Sequence, residues 1–260
     1  MDLGLAGRRA VVTGGSKGLG KAIAAELLAE GAQVVICSRD DAELEATAAE
    51  LRKPGGTVFA FRCDVTNPDE VTAFINRAAS VLGGIDILVN NAGAARPGRF
   101  ESLSDADFEG DFEVKVMSQI RCTRAALPLL RQSPAARVIN INAVYGRYPD
   151  PAFFATSVNR ASCLGLAKAL AMELGPEDIL VNSVNIGFVT TPQWENIHRR
   201  RAPDTPAEEF FGQLAAAEVP LGRFGRADEV SGIVAFLASD RASYITGASV
   251  DVAGGMGKYL

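Results

Sequence analysis

The chain has 260 residues, 48% apolar and 22% charged, with 26 Lys and Arg against 31 Asp and Glu for a formal net charge of −5. This composition excludes a disordered or fibrous chain and supports a large core without disulfides or a structural metal. The acidic balance argues against nucleic acid as a partner, because the one dense basic run, Arg199-Arg200-Arg201, reads as a solvated loop.

In chain order, short Val- and Ile-rich runs alternate with longer amphipathic stretches. Strands are predicted at 10–12, 34–37, 57–61, 85–89, 138–141, 179–184 and 249–252. These runs lack strict alternation, as suits strands buried on both faces of a parallel sheet. Helices are predicted at 19–30, 42–52, 69–82 and 228–238. The alternation predicts an α/β chain: a single Rossmann-like doubly wound parallel sheet flanked by helices, with right-handed crossovers. No Pro/Gly-rich linker interrupts it, so residues 1–260 are expected to form one domain. Cys37, Cys63, Cys122 and Cys163 are scattered and His198 is the only histidine, so no metal site is expected and the thiols read as reduced. There is no run of 18 apolar residues and no charged-then-apolar start. A cytoplasmic protein without a membrane partner is therefore expected.

Thr13-Gly14-Gly15-Ser16-Lys17-Gly18-Leu19-Gly20 falls between the first strand and the first helix. Glycines there let the backbone turn tightly and let a pyrophosphate reach the amides of a helix N-terminus. Cys63-Asp64-Val65 follows the third strand and Asn90-Asn91-Ala92-Gly93 the fourth. Pro220-Leu221-Gly222-Arg223-Phe224-Gly225, Ala238-Ser239-Asp240 and Tyr244-Ile245-Thr246-Gly247 close the chain. In this order and spacing the sequence resembles the short-chain dehydrogenase/reductase (SDR) family over nearly its whole length.

The resemblance implies binding of NADP(H) or NAD(H). Gly14, Gly18 and Gly20, with Ser16 and Leu19 between them, would lie at the pyrophosphate. Asp64 and Val65 would contact adenine, and Asn91, Ala92 and Gly93 would line the riboses. Arg160 and Gly187 complete the expected cofactor set. NAD users carry a carboxylate at the end of strand two. Here that place holds Ser38 followed by Arg39, and Lys17 adds a second cation, which together suit a 2′-phosphate. NADP(H) is expected ahead of NAD(H), with Asp40 and Asp41 nearby as a counterweight. The resemblance further implies a substrate-covering lid at about 187–218 and a homotetramer or homodimer packed through 220–255.

The catalytic end departs from the family. Its reaction uses a tyrosine acid, a lysine four residues on, a serine and an asparagine. By their neighbours, Thr156 stands for the tyrosine, Arg160 for the lysine, Ala143 for the serine and Lys115 for the asparagine. A phenol has a pKa of about 10 and an aliphatic hydroxyl lies near water at roughly 15.7. That gap costs on the order of 8 kcal/mol for an acid, so threonine does not simply inherit the role. Lys115 is a candidate acid, base or Schiff-base former, or else a cation that snorkels to solvent or pairs with Asp111 or Glu113. Tyr145 is a candidate at the substrate or a packing residue.

These residues are compatible with two functions. One is an NADP(H)-binding enzyme on a small-molecule substrate, an atypical oxidoreductase or a non-redox lyase, isomerase or cyclase. The other is a catalytically inactive nucleotide sensor or partner subunit.

Overall fold

The structure is a computed structural model that describes residues 2–53 and 55–257. Seven strands, β1 (Arg9–Thr13), β2 (Gln33–Ser38), β3 (Val58–Arg62), β4 (Ile87–Asn90), β5 (Arg137–Ala143), β6 (Leu180–Ile186) and β7 (Ser249–Val252), form one sheet. Their order is β3-β2-β1-β4-β5-β6-β7, with every neighbouring pair parallel. All seven strands coincide with the predicted Val/Ile runs. The order reverses between β1 and β4, the switch point beyond whose strand carboxyl ends sheets of this kind hold a ligand crevice.

Successive side chains of a strand face opposite sides. Val12, Val34 and Ile36 therefore enter one core, against helices α1 (Gly18–Ala29), α2 (Asp41–Arg52) and α9 (Asp228–Ala238). Val11, Val35 and Cys37 enter the other, against α3 (Pro68–Leu82), α5 (Ser118–Leu130) and α6 (Phe154–Leu174). Local chemistry sets the helix ends. Asp40 caps α2 through the Glu43 amide, and Asn67 caps α3 just ahead of Pro68. Gly83 closes α3 with φ +74°.

The helices α4 (Asp105–Phe112), α5 and α6 lie outside the amphipathic stretches named from sequence. The buried faces of α4 and α6 carry Asp111, Thr156, Ser157, Asn159 and Arg160, so no clean apolar stripe marks them, whereas α5 buries Cys122, Ala126 and Leu130 in the core beside Gln119 and Thr123. Between α4 and α5 a π turn, Glu113–Met117, adds one residue to the helical path. Residues 187–218 form α7 (Pro192–Arg201) and α8 (Ala207–Glu218). Among the described residues no helix is long and apolar enough to cross a membrane.

Candidate active site

The glycine loop is shaped by contacts that exclude side chains. Gly14 and Gly18 adopt φ +66° and +53°, the left-handed region that favours glycine. A Cβ at Gly20 would meet the Gly14 carbonyl at 2.1 Å, and one at Gly14 would meet the Ala92 Cα at 3.0 Å. Asn91 Nδ2 donates to the Thr13 and Gly14 carbonyls (2.9 and 3.0 Å), while Thr13 Oγ1 accepts from the Asn91 and Ala92 amides. The strip after β4 is thus tied to the loop after β1. Lys17 is the N-cap of α1, and its side chain caps none of the first-turn amides. A bare helix N-terminus behind a glycine cradle fits a phosphate.

The side chains of this loop have another partner. Ser16 Oγ donates to Glu43 Oε2 (2.7 Å) and Lys17 Nζ to Glu43 Oε1 (2.8 Å). Burial pushes the Glu43 carboxyl up, but Lys17 and Ser16 outweigh it and leave it below the usual range. Sequence reading missed Glu43, because nothing in its own surroundings announces a partner 26 residues upstream. Ser38 Oγ donates to the Asp40 carbonyl, and Arg39 is exposed at the end of β2. Asp64 Oδ1 accepts from the Thr66 amide and hydroxyl (2.9 and 2.7 Å). Burial opposes ionisation of Asp64, yet these bonds and the nearby Arg39 and Arg62 hold it below its usual value. Val65 is buried beside it. Gly187 lies against β7, where a Cβ would meet the Ala253 Cα at 2.9 Å.

Across the crevice the π turn aims Lys115 inward, where it is 1% exposed. Its Nζ pairs with Asp111 Oδ1 and donates to Thr156 Oγ1 at 2.9 Å. Asp111 Oδ2 accepts from Asn159 Nδ2 at 2.9 Å. Glu113, the other partner considered from sequence, instead binds Arg121 at 2.6 Å. Burial foremost, then the neighbouring Arg160 guanidinium, lowers the Lys115 amine to about 8 from 10.5, with Asp111 working against the shift. Thr156 and Arg160 share one face of α6, one turn apart. Arg160 Nη1 donates to the Ile141 carbonyl at 2.8 Å, and Nη2 would lie 3.2 Å from a Cβ on the exposed Gly93. Ala143, at the end of β5, offers no side-chain donor.

Tyr145 stands apart from this cluster. It stacks on Phe153 (ring centroids 5.0 Å) and joins an apolar cluster with Phe188, Trp194 and Phe224. Burial above all, then the Asp150 and Glu218 carboxylates, keeps its phenol protonated well above its usual range. His198 Nε2 lies 2.7 Å from the Thr205 carbonyl, with its ring against Phe210 and Phe211. Among the described residues no cluster of three or more His, Cys, Asp or Glu side chains is suited to hold a metal ion.

A family profile described as enoyl-(acyl carrier protein) reductase matches residues 14–257. Nodulation protein G of Rhizobium sp. (strain N33) is 36% identical over 97% of this chain and 98% of its own. The NADPH-bound structure of a short-chain oxidoreductase from Pseudomonas aeruginosa PAO1, described as containing an atypical catalytic center, superposes with a TM-score of 0.90. It is 36% identical, over 96% of this chain and 97% of that one. L-sorbose reductase from Gluconobacter frateurii, complexed with NADPH and L-sorbose, has a TM-score of 0.96 at 32% identity over 100% of both chains. With the profile spanning nearly the whole sequence and relatives of this similarity, the chain belongs to the short-chain dehydrogenase/reductase family.

Proposed function

We propose that this protein is an NADP(H)-dependent reductase of a small carbonyl substrate, with Lys115 as the proton source and the Thr156 hydroxyl as the group that hands the proton on. The observation that carries this reading is the 2.9 Å bond from the buried Lys115 amine to Thr156 Oγ1. A threonine hydroxyl need not ionise if it gives one proton while receiving another. The acid strength then resides in the ammonium, whose value of about 8 suits donation near neutral pH.

The nucleotide reading rests on the cradle at Gly14, Gly18 and Gly20 and on the bare N-terminus of α1. Gly14, Ser16, Gly18, Leu19 and Gly20 would hold the diphosphate, Asp64 and Val65 the adenine, and Asn91, Ala92 and Gly93 the riboses. Gly187 would border the nicotinamide end. Arg39, Ser38 and Lys17 would meet the 2′-phosphate once Lys17 leaves Glu43. Bound there, NADPH supplies a hydride. Both structures compared above that hold NADPH belong to proteins at least 32% identical to this one, which supports the same choice here. Residues 187–218 would serve as a lid, with Trp194 packed against Phe188 and over Phe153, which stacks on Tyr145. A cytoplasmic homodimer or homotetramer completes the reading, packed through 220–255, where Leu221 and Tyr244 are exposed.

A second reading, an inactive nucleotide sensor or partner subunit, draws on the seclusion of Lys115, which Asp111 and Thr156 already satisfy. NADPH oxidation against a panel of ketones and oxo acids separates the two. Turnover that Lys115→Met and Thr156→Val each remove supports the reductase. Tight NADPH binding without turnover of any substrate supports the sensor, and turnover indifferent to both substitutions refutes the relay.

A further inference from the structure

Arg160 is a fixed positive charge 9% exposed, and among the described residues no carboxylate forms an ion pair with it. Its guanidinium donates to the Ile141 carbonyl, and Nε is buried without a partner. The neighbouring anion, Asp111, is already taken up by Lys115 and Asn159. The three groups Asp111, Lys115 and Arg160 therefore leave one net positive charge in the floor of the crevice. A guanidinium does not shed its proton, and a buried charge without a counter-charge is strongly unfavourable. Ribose hydroxyls would fill donors of Arg160 but would leave its charge unmatched. An anion matches both.

The position of the guanidinium says where that anion sits. Nη2 lies beneath exposed Gly93, at the crevice surface, and Arg160 is one turn from Thr156 on the same face of α6. The Cβ atoms of residues so spaced are about 5–6 Å apart. A substrate whose reacting oxygen rests on Thr156 thus brings a group one or two carbons away onto Arg160.

We propose that Arg160 binds a carboxylate on the substrate itself, so that this enzyme takes 2- or 3-oxo acids in preference to neutral ketones. This rests on the reductase reading above. A planar fork of donors matches a carboxylate in pairs, which a lysine at this place does not. The anion also shields Lys115 from Arg160 and so favours its proton-loaded form.

The test needs no turnover. Trp194 is the only tryptophan, and it sits in α7 over the apolar cluster, so its fluorescence reports occupancy. The NADP⁺-bound protein is titrated with 2-oxohexanoate and 3-oxohexanoate, each against its methyl ester, and the titrations are repeated without nucleotide. One acid is expected to bind about tenfold more tightly than its ester. In Arg160→Gln that difference is expected to vanish, and in Arg160→Lys to shrink, with thermal unfolding and NADP⁺ titration confirming that both variants fold. Equal affinity of acid and ester in the wild-type protein overturns the proposal and leaves the nucleotide reading standing. An acid preference that survives in Arg160→Gln overturns it as well. A wild-type protein that binds no nucleotide but still prefers the acid overturns the reductase reading and upholds the anion site.

Discussion

At the scale of single residues, the chemistry turns on which groups hold Lys115 and which hold Lys17. The amine of Lys115 is lowered to about 8, so the fraction able to donate a proton falls as pH rises through that value. Reductive turnover is expected to decline above about pH 8, and a rate flat to pH 10 argues against Lys115 as donor. Stability moves the opposite way. The unfolded chain keeps this proton up to 10.5 and the fold releases it near 8, so the group's contribution to stability rises between those values. Replacing Lys115 with Met is expected to lower turnover by about 10²- to 10⁴-fold, and to lower the melting temperature as well, because the buried Asp111 carboxylate loses its cation. At the other end, Glu43→Gln removes the carboxylate that holds Lys17 and Ser16. NADPH binding is expected to tighten by about two- to fivefold with NADH unchanged, the size of one exposed charge pair. Weaker NADPH binding in that variant refutes Glu43 as a competitor for Lys17. Lys115, Thr156 and Arg160 are legible in the sequence by their neighbours, since each sits in a recognisable stretch. Glu43 and Asn159 are not, because their partners arrive through the crossover of β2 and the packing of α6 on α4.

At the scale of elements, β1, β2 and β4 are legible in the sequence because burial on both faces leaves Val/Ile-rich runs, whereas β5 and β6 interleave Asn and Ser and the edge strands β3 and β7 are only partly buried. The predicted helices that ring the two cores are found within one residue at each end. Sequence periodicity passes over α4 and α6, since their inward positions carry the polar groups Asp111, Thr156, Asn159 and Arg160 of the site. The π turn at Glu113–Met117 is equally invisible, yet it directs Lys115. A residue added to or taken from a helix rotates every later position by about 100°. Deleting Val114, which restores a regular helix, is expected to swing Lys115 away from Thr156. Turnover is then lost while circular dichroism keeps its helical amplitude; retained turnover shows that the turn is not needed to aim the amine.

At the scale of the whole molecule, the sheet is pinned at its amino-terminal edge. Asp86 takes the Arg9 backbone amide and guanidinium (2.9, 2.8 and 2.6 Å) and the Ser133 hydroxyl (2.6 Å), joining β1, the entry to β4 and the end of α5. Burial pushes the Asp86 carboxyl up, but Arg9 and Ser133 prevail and hold it below 3.8. The stability it contributes is therefore present above that value and is lost as pH falls toward the lowered folded one. Asp86→Ala is expected to lose about 2 kcal/mol at neutral pH, read by urea unfolding, and an unchanged midpoint refutes the pin. The four thiols carry a consequence of another kind. Cys37, Cys63, Cys122 and Cys163 are all free and buried, and burial pushes Cys122 up to about 12 and raises Cys163. A thiol reacts as its thiolate, so none of them reacts until the chain around it opens. Three lie in the core beneath β2 and α5, whereas Cys163 sits beside Lys115 and Arg160. Alkylation followed by mass is thus a clock with two hands, one set by global unfolding and one by breathing of the crevice, and a bound nucleotide, which favours the folded state as a whole, should slow both.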